Sequence, residues 1–541
     1  MDKSKSPNNL KMKDVQLVVL IGEAATRLAP LTYGLPKGLL SINQKPGLFN
    51  MINDFVKQGL NDITFILNHS NQKIVKNFFE NAFDNVKFNF VIEKSARGPM
   101  YAFMESQPYI TKPTLLLLGD TECETDFNYE YSWLGYKEIN DNSHSRWCLI
   151  NTNVDNNITD FVDKPDFIPD TNKALIGIYF FKNYKLLKET LSQTYECDGQ
   201  LQLSAGISYY LKHEKIKAQQ VFNWRDAGAL NTYAEMYNQP FCYSDKVVFV
   251  NEYNQIVKIS EHNKSEIKFL SKIKNYKSSS FFPRLIYSDK DKIITDYYDY
   301  LSIYEYTNYY PMRDWCFEFI YGQIIKSLNL IHNETRPKTN IQKDCIIEYN
   351  IELRKAIDNL FQSNKYACLD KIILNGKEYQ GINSFSNAYF EKINRIISNA
   401  NHFAGITCNN TFESNILYAT RSGKCKFISP KGKFGNKTLI GDTRIDFAYL
   451  LASNNGKYEK IIQDVVYSNN FTENGFDIQS KMKNKNEKLL ENELENINQN
   501  IEDLKCLASI ILIKKASETK NFEKQCCLLA KAIIMINEIL F

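Results

Sequence analysis

Two sets of residues in this chain are candidates for chemistry. The first begins where an apolar run, VQLVVLI (15–21), gives way to GEAATRLAPLTYGLPKGLLSINQKP (22–46), which carries Gly22, Thr26, Arg27 and Lys37. Glycine lets backbone N–H groups approach a phosphate, and guanidinium and ammonium groups neutralise its oxygens. Later segments add Asp120 after TLLLL (114–118), Lys164 in ITDFVDKP (158–165) and Asp226 in NWRDAGALNTY (223–233). The second set comprises Lys258 in QIVKIS (255–260), Glu266, and Asn415 within ITCNNTFESNILY (406–418). Taken singly, Asp120 is an ordinary residue of a strand-end turn and Lys37 a solvated lysine. Their order along the chain is what carries meaning.

The first set resembles the signature of the sugar-phosphate nucleotidyltransferase family, G-G-x-G-T-R-L-x-P-L-T…P-K-x-L-L…K-P. Thr26, Arg27, Leu28, Pro30, Leu31, Thr32, Pro36, Lys37, Leu39, Leu40, Lys45 and Pro46 match it. ITDFVDKP (158–165) stands where the family has its V-x-E-K-P segment, NWRDAGALNTY resembles W-x-D-x-G-t-x-x-x-Y, and the likeness covers 14–239. It implies that a phosphorylated acceptor attacks the α-phosphorus of a nucleoside triphosphate and that pyrophosphate leaves. Such chemistry rests on positioning and charge neutralisation. By the resemblance, Arg27 and Lys37 bind phosphate oxygens, and Asp120 and Asp226 hold Mg²⁺. Lys164 contacts the acceptor, while Gly22, Thr26, Gly98 and Gly177 line the substrate. One departure stands out: Glu23 and Ala25 occupy the positions of the G-x-G glycines. A left-handed Ala25 would cost about 1–2 kcal/mol. A carboxylate ~4 Å from a phosphate charge would repel it by roughly 4 kcal/mol at an effective dielectric of 20.

The second set resembles the choline kinase and aminoglycoside phosphotransferase superfamily. Lys258 and Glu266 stand where that family has its nucleotide-binding lysine and the glutamate that orients it. DYYDYLSIYEY (296–306) resembles the hinge, and FIYGQIIKSLNLIHNE (319–334) the long helix after it. The segment 406–450 follows H-G-D-x-x-x-x-N-I-L-Y…IDPRG…GD-x-x-Y-D-x-A-K-L, with Asn415, Gly441, Asp442 and Asp446 retained. The H-G-D triplet, however, reads Cys408-Asn409-Asn410, and the metal-binding Asp of IDPRG is Ser429. An amide cannot serve as a general base, and a hydroxyl is a poor substitute for a charged Mg²⁺ ligand. The resemblance therefore implies a pseudokinase. Cys408 itself reads as a small buried residue.

Composition bounds the alternatives. The 541 residues are 43% hydrophobic and 24% charged, the balance of a globular protein of two to four domains. The 66 Lys+Arg against 62 Asp+Glu leave +4 without a dominant basic stripe, which argues against a nucleic-acid partner. Twelve cysteines contain no CxxC, and the six histidines lack metal-ligand spacing. The opening MDKSKSPNNLKMKD is polar, and no apolar run reaches 18 residues. A cytoplasmic protein without a membrane span is expected.

Apolar strands at 15–21, 63–67, 87–92, 114–118, 147–150 and 174–181 alternate with helical patterns. This predicts a Rossmann-like α/β domain whose mostly parallel sheet is covered on both faces, with ligands beyond the carboxyl ends of its strands. KVVFV (246–250) and QIVKIS predict a hairpin, followed by a helix over 265–273 and a strand over 292–298. Mostly helical chain then follows, with a strand–turn–strand near 416–428 and solvated helices over 472–500. The expected division is a flexible tail (1–13), a nucleotidyltransferase-like domain (14–240) and a bilobal, protein-kinase-like α+β domain (245–541). The expected function is nucleotidyl transfer to a phosphorylated sugar or small phospho-alcohol, serving surface polysaccharide (capsule) precursor synthesis. The choline-kinase likeness tilts the nucleotide toward CTP. The alternative is an inactive pseudoenzyme that binds nucleotide or an active paralogue. A bifunctional kinase ranks behind both, and a homo-oligomer fits either of the first two.

Overall fold

The computed structural model describes residues 10–541 except 23–24, 30–31, 33–34, 43–44, 84, 140–143, 196–198, 227, 229–232, 234–240, 244–245, 252, 261–262, 299, 310–312, 336–338, 421 and 481–486. The chain forms two compact units, Met1–Tyr237 and Asn238–Phe541.

The first unit is built on a nine-stranded sheet. Its strands begin with β1 (Gln16–Ile21), followed by helix α1 (Gly47–Lys57), β2 (Asp62–Leu67), helix α2 (His69–Ala82), β3 (Lys87–Ile92) and β4 (Thr114–Leu118). These four strands are mutually parallel in the order β4-β1-β2-β3. Every residue of β1 is buried, as a strand covered on both faces must be. Helix α1 buries Leu48, Met51, Ile52 and Phe55. It stops at Gly59, whose φ of 108° suits glycine alone, while Leu60 N donates back to Phe55 O.

Beyond β4 come a short strand β5 (Thr121–Glu124), then β6 (Ser132–Glu138), β7 (Cys148–Thr152), β8 (Ile158–Asp163), β9 (Lys173–Phe181), β10 (Ile216–Gln220) and β11 (Phe222–Asp226). β9 runs antiparallel to β4, β6 and β7. The sheet is thus a parallel core with a mixed flank, antiparallel around β9 but parallel between β6 and β10, which apolar runs alone do not reveal. β5 and β11 form a separate two-stranded ribbon.

The second unit opens with a five-stranded antiparallel sheet. Val250 faces Ile256 across the expected hairpin, and Asn251 Oδ1 accepts from Tyr253 N and Gln255 N to close its turn. Helix Lys264–Ile273 and the 20-residue helix Asp314–Asn333 follow. Helices Ile501–Glu518 and Phe522–Leu540 pack together in the core of this unit. Two details depart from the sequence reading. Gly475–Ser480 is a strand, and within 472–500 the described helix spans Glu487–Asn496. The strand belongs to a four-stranded sheet with Lys371–Leu374, Lys377–Gln380 and Val466–Asn469, inside a region expected to be helical. Asn375 and Gly376, at φ 49° and 75°, make the tight turn of its hairpin.

Candidate active site

The loop after β1 is fastened from α2. Asn68 Nδ2 donates to Gly22 O at 3.0 Å and Asn71 Nδ2 to Ile21 O at 3.1 Å. Asn68 Oδ1 also accepts from Asn71 N, capping the helix. A Cβ on Gly22 would meet Glu93 Oε2, so this position is closed to other residues unless that carboxylate moves. Burial and the nearby Glu105 raise the Glu93 pKa. Glu23 lies outside the described residues. Ala25 is left-handed at φ 49°, and its carbonyl accepts from Leu28 N and Thr32 Oγ1, both at 3.0 Å. Thr26 starts a short 3-10 turn; nothing of its side chain is described. Arg27 in the same turn is exposed.

Lys37 and Asp120 meet at the carboxyl end of β4. Lys37 Nζ lies 2.7 Å from Asp120 Oδ2, with side chains 8% and 18% exposed. The approach is tight, since a Cβ on Gly38 would sit 2.7 Å from Gly119 O. Burial alone would raise the Asp120 pKa. The charge and hydrogen bond of Lys37, with help from Arg27, hold it below the usual aspartate value.

Asp226 ends β11, and its backbone lies opposite Thr121, the residue after Asp120. Its side chain is outside the described residues. Gly177, at φ 88°, is packed so closely that a Cβ would sit 2.7 Å from Thr121 Oγ1. Lys37, Asp120, Thr121, Gly177 and the backbone of Asp226 therefore share one locality. Gly98 and Lys164 belong to other segments. Gly98, at φ 108°, lies against Leu201, and Lys164, exposed at φ 48°, donates its N–H to Trp147 O at 2.9 Å. Glu93, Glu122 and Arg225 were not singled out by sequence, although Glu93 directly follows an apolar strand.

The second unit gathers residues far apart in sequence. Lys258 Nζ donates to Glu266 Oε1 at 2.7 Å and to Ser429 Oγ at 2.9 Å. Asn410 Nδ2 donates to Ser429 O at 2.7 Å, and Asn415 Nδ2 to Asn410 O at 3.1 Å. The loop behind them is anchored by buried Asp446, which accepts from Cys408 N, Asn409 N and His332 Nε2 at 2.7–3.0 Å. Cys408 is 1% exposed, and burial beside Asp446 pushes its thiol pKa far up, so it is an inert core residue.

A family model described as nucleotidyl transferase matches residues 16–240. Bifunctional protein GlmU of Methanocaldococcus jannaschii is 27% identical over 219 residues, 39% of this chain and 50% of that protein. D-glycero-alpha-D-manno-heptose 1-phosphate guanylyltransferase of Campylobacter jejuni is 26% identical over 155 residues, 28% of this chain and 69% of that protein. A solved UDP-glucose pyrophosphorylase, complexed with UDP-glucose, is 21% identical and covers 41% of this chain and 96% of its own, with a TM-score of 0.37. The match thus spans about half the length of the first of these relatives. The N-terminal part of the chain carries a nucleotidyltransferase domain homologous to sugar nucleotidyltransferases. No described helix is long and apolar enough to cross a membrane.

Proposed function

We propose that a domain over residues 14–240 transfers a nucleotidyl group from a nucleoside triphosphate to a phosphorylated sugar. The observation that carries this reading is the Lys37–Asp120 pair at the carboxyl end of a parallel strand, where α/β sheets bind ligands. An acceptor phosphate oxygen forms a bond to the α-phosphorus, the bond to the bridging oxygen of the β-phosphate breaks, and pyrophosphate leaves with the electron pair. Lys37 and Arg27 neutralise phosphate oxygens, Gly22 and Thr26 border the triphosphate, and Gly98, Lys164 and Gly177 border the acceptor.

Asp120 and Asp226 are the residues that would hold Mg²⁺. The described donor fits: Asp120 is an ionised carboxylate offering hard oxygens, and Mg²⁺ needs only one or two carboxylates when phosphates and waters complete its shell. When bound, the ion supplies positive charge to the triphosphate.

For the unit from 245 to 541 the reading is a kinase-like domain that binds nucleotide through Lys258, Glu266 and Asn415 without transferring phosphate. Asn410 and Ser429 supply neither a base nor a charged metal ligand. CTP is the first base to test, and precursor supply for a surface polysaccharide is the role such an activity would serve.

The test is pyrophosphate release from CTP, UTP, GTP and dTTP against a panel of sugar 1-phosphates and phospho-alcohols. Release with one pair that disappears in Lys37→Ala is the expected result. Silence across the panel with nucleotide binding retained would instead favour an inactive binding protein.

A further inference from the structure

Asp226 is carried by the two-stranded ribbon of β5 and β11, outside the nine-stranded sheet. A two-stranded ribbon is marginal by itself, and a slip of one residue turns every side chain to the opposite face. The register here is irregular. Phe222 faces Glu124, the pairing then shifts, and Arg225 faces Glu122 with Asp226 opposite Thr121. Asn223 within the bulge is left-handed, at φ 48°. Something must choose this register over its neighbours.

The two carboxylates of β5 grip β11 at the bulge and just after it. Asn223 Nδ2 donates to Glu124 Oε2 at 2.9 Å. Arg225 Nη1 lies 3.8 Å from Glu122 Oε2. Glu122 is itself fixed to α1, because Asn50 Nδ2 donates to its Oε1 at 3.2 Å. Its Oε2 is buried and accepts no hydrogen bond, so the charge facing that oxygen is the Arg225 guanidinium. A buried carboxylate oxygen left in that state is costly unless an opposite charge offsets it. That cost falls on any register in which Arg225 moves away.

We propose that Glu122, acting through Arg225, is a positioning residue that selects the register of β11 and so keeps the backbone of Asp226 opposite Thr121, next to Asp120. This rests on the reading of Asp120 and Asp226 as ligands of a divalent cation. Glu122 is assigned no contact with substrate. Its effect passes through the strand, which separates it from a residue that only adds stability. A purely structural carboxylate would lower the melting temperature without changing cation affinity in the folded protein.

Mn²⁺ affinity, measured by electron paramagnetic resonance on the full chain without nucleotide, tests this, with near-UV circular dichroism and Tm as controls for folding. Asp226→Asn establishes the ligand itself. Glu122→Gln should stay folded and bind Mn²⁺ roughly 5–10-fold more weakly, while the exchange Glu122→Arg with Arg225→Glu should recover most of that loss. Nucleotide affinity in EDTA should not change. If Asp226→Asn loses Mn²⁺ but Glu122→Gln binds it as the wild type does, the positioning role is overturned while the ligand reading stands. If Asp226→Asn itself binds normally, the ligand reading fails and the proposal with it. Should Glu122→Gln not fold, Arg225→Gln decides by the same measure: wild-type Mn²⁺ affinity in that variant overturns the proposal.

Discussion

Lys258 donates to Ser429 Oγ at 2.9 Å across 171 residues of sequence while its ammonium also pairs with Glu266. The Lys258 ammonium is thus held between a carboxylate and a hydroxyl. The loop beside Ser429 is anchored as well, because Asp446 fixes two successive amides of the Cys408–Asn410 segment.

That arrangement predicts binding without turnover. Nucleotide affinity of the second unit should change less than about threefold between Mg²⁺ and EDTA, since Ser429 offers Mg²⁺ no charged ligand. Lys258→Met should weaken it at least tenfold, the loss of one charge-assisted hydrogen bond. Equilibrium binding to the Lys37→Ala background separates this unit from the first. Mg²⁺-dependent ADP formation that persists in that background and vanishes with Lys258→Met would overturn the pseudokinase reading.

Lys37→Ala should reduce pyrophosphate release by two or more orders of magnitude, because it removes a preorganised cation from the developing charge. It should also destabilise the protein by about 1–3 kcal/mol, a range lowered because Asp120 is 18% exposed. The sign with pH follows from the depressed Asp120 pKa. Stability from this group is present above the unfolded value of 3.8 and is lost as pH falls through the lower folded value. Urea midpoints of wild type and variant should therefore converge as pH drops from 5 to about 3. A gap that stays constant would assign the loss to packing.

Parts of this site were legible because they follow simple rules. Apolar strands point to residues at their carboxyl ends, and Lys37 and Asp120 indeed meet there, 83 residues apart. Gly59 marks the end of α1 by the same kind of local logic. Glu122 and Arg225 were illegible, since their pairing depends on a bulge that no periodicity encodes. The hairpin 371–380 was missed for a different reason. Its Asn375-Gly376 turn is an ordinary hairpin signal, but one of its strands pairs with Gly475–Ser480, about a hundred residues away, in a Lys- and Asn-rich stretch that reads as solvated helix.

Ala25 allows a sharp test of backbone strain. At φ 49° an alanine costs about 1–2 kcal/mol that glycine does not, while glycine adds about 0.5–1 kcal/mol of unfolded-state entropy. Ala25→Gly should therefore stabilise the first unit by roughly 0.5–1 kcal/mol, read as a small rise in Tm. Nucleotide affinity should hold or improve, because the loop gains freedom to approach the triphosphate. A drop in Tm would mean that the buried methyl group contributes more than its conformation costs.

The last prediction concerns a buried carboxylate beside the loop of the second unit. Glu459 Oε1 accepts from Ser414 N and from Ser453 Oγ, both at 3.0 Å. Ser414 adjoins Asn415, and Glu413 accepts a 2.6 Å hydrogen bond from Tyr321. Burial, with the charge of Glu413 added, raises the Glu459 pKa above its usual value of 4.5. The folded protein then holds a proton that the unfolded chain has released, so stability falls as pH rises above 4.5 and through the raised folded value. Glu459→Gln keeps an acceptor for Ser414 N and removes the ionisation. Its Tm should exceed that of the wild type at pH 7.5 and approach it at pH 5. A constant difference between the two proteins over that range would show that Glu459 does not titrate there.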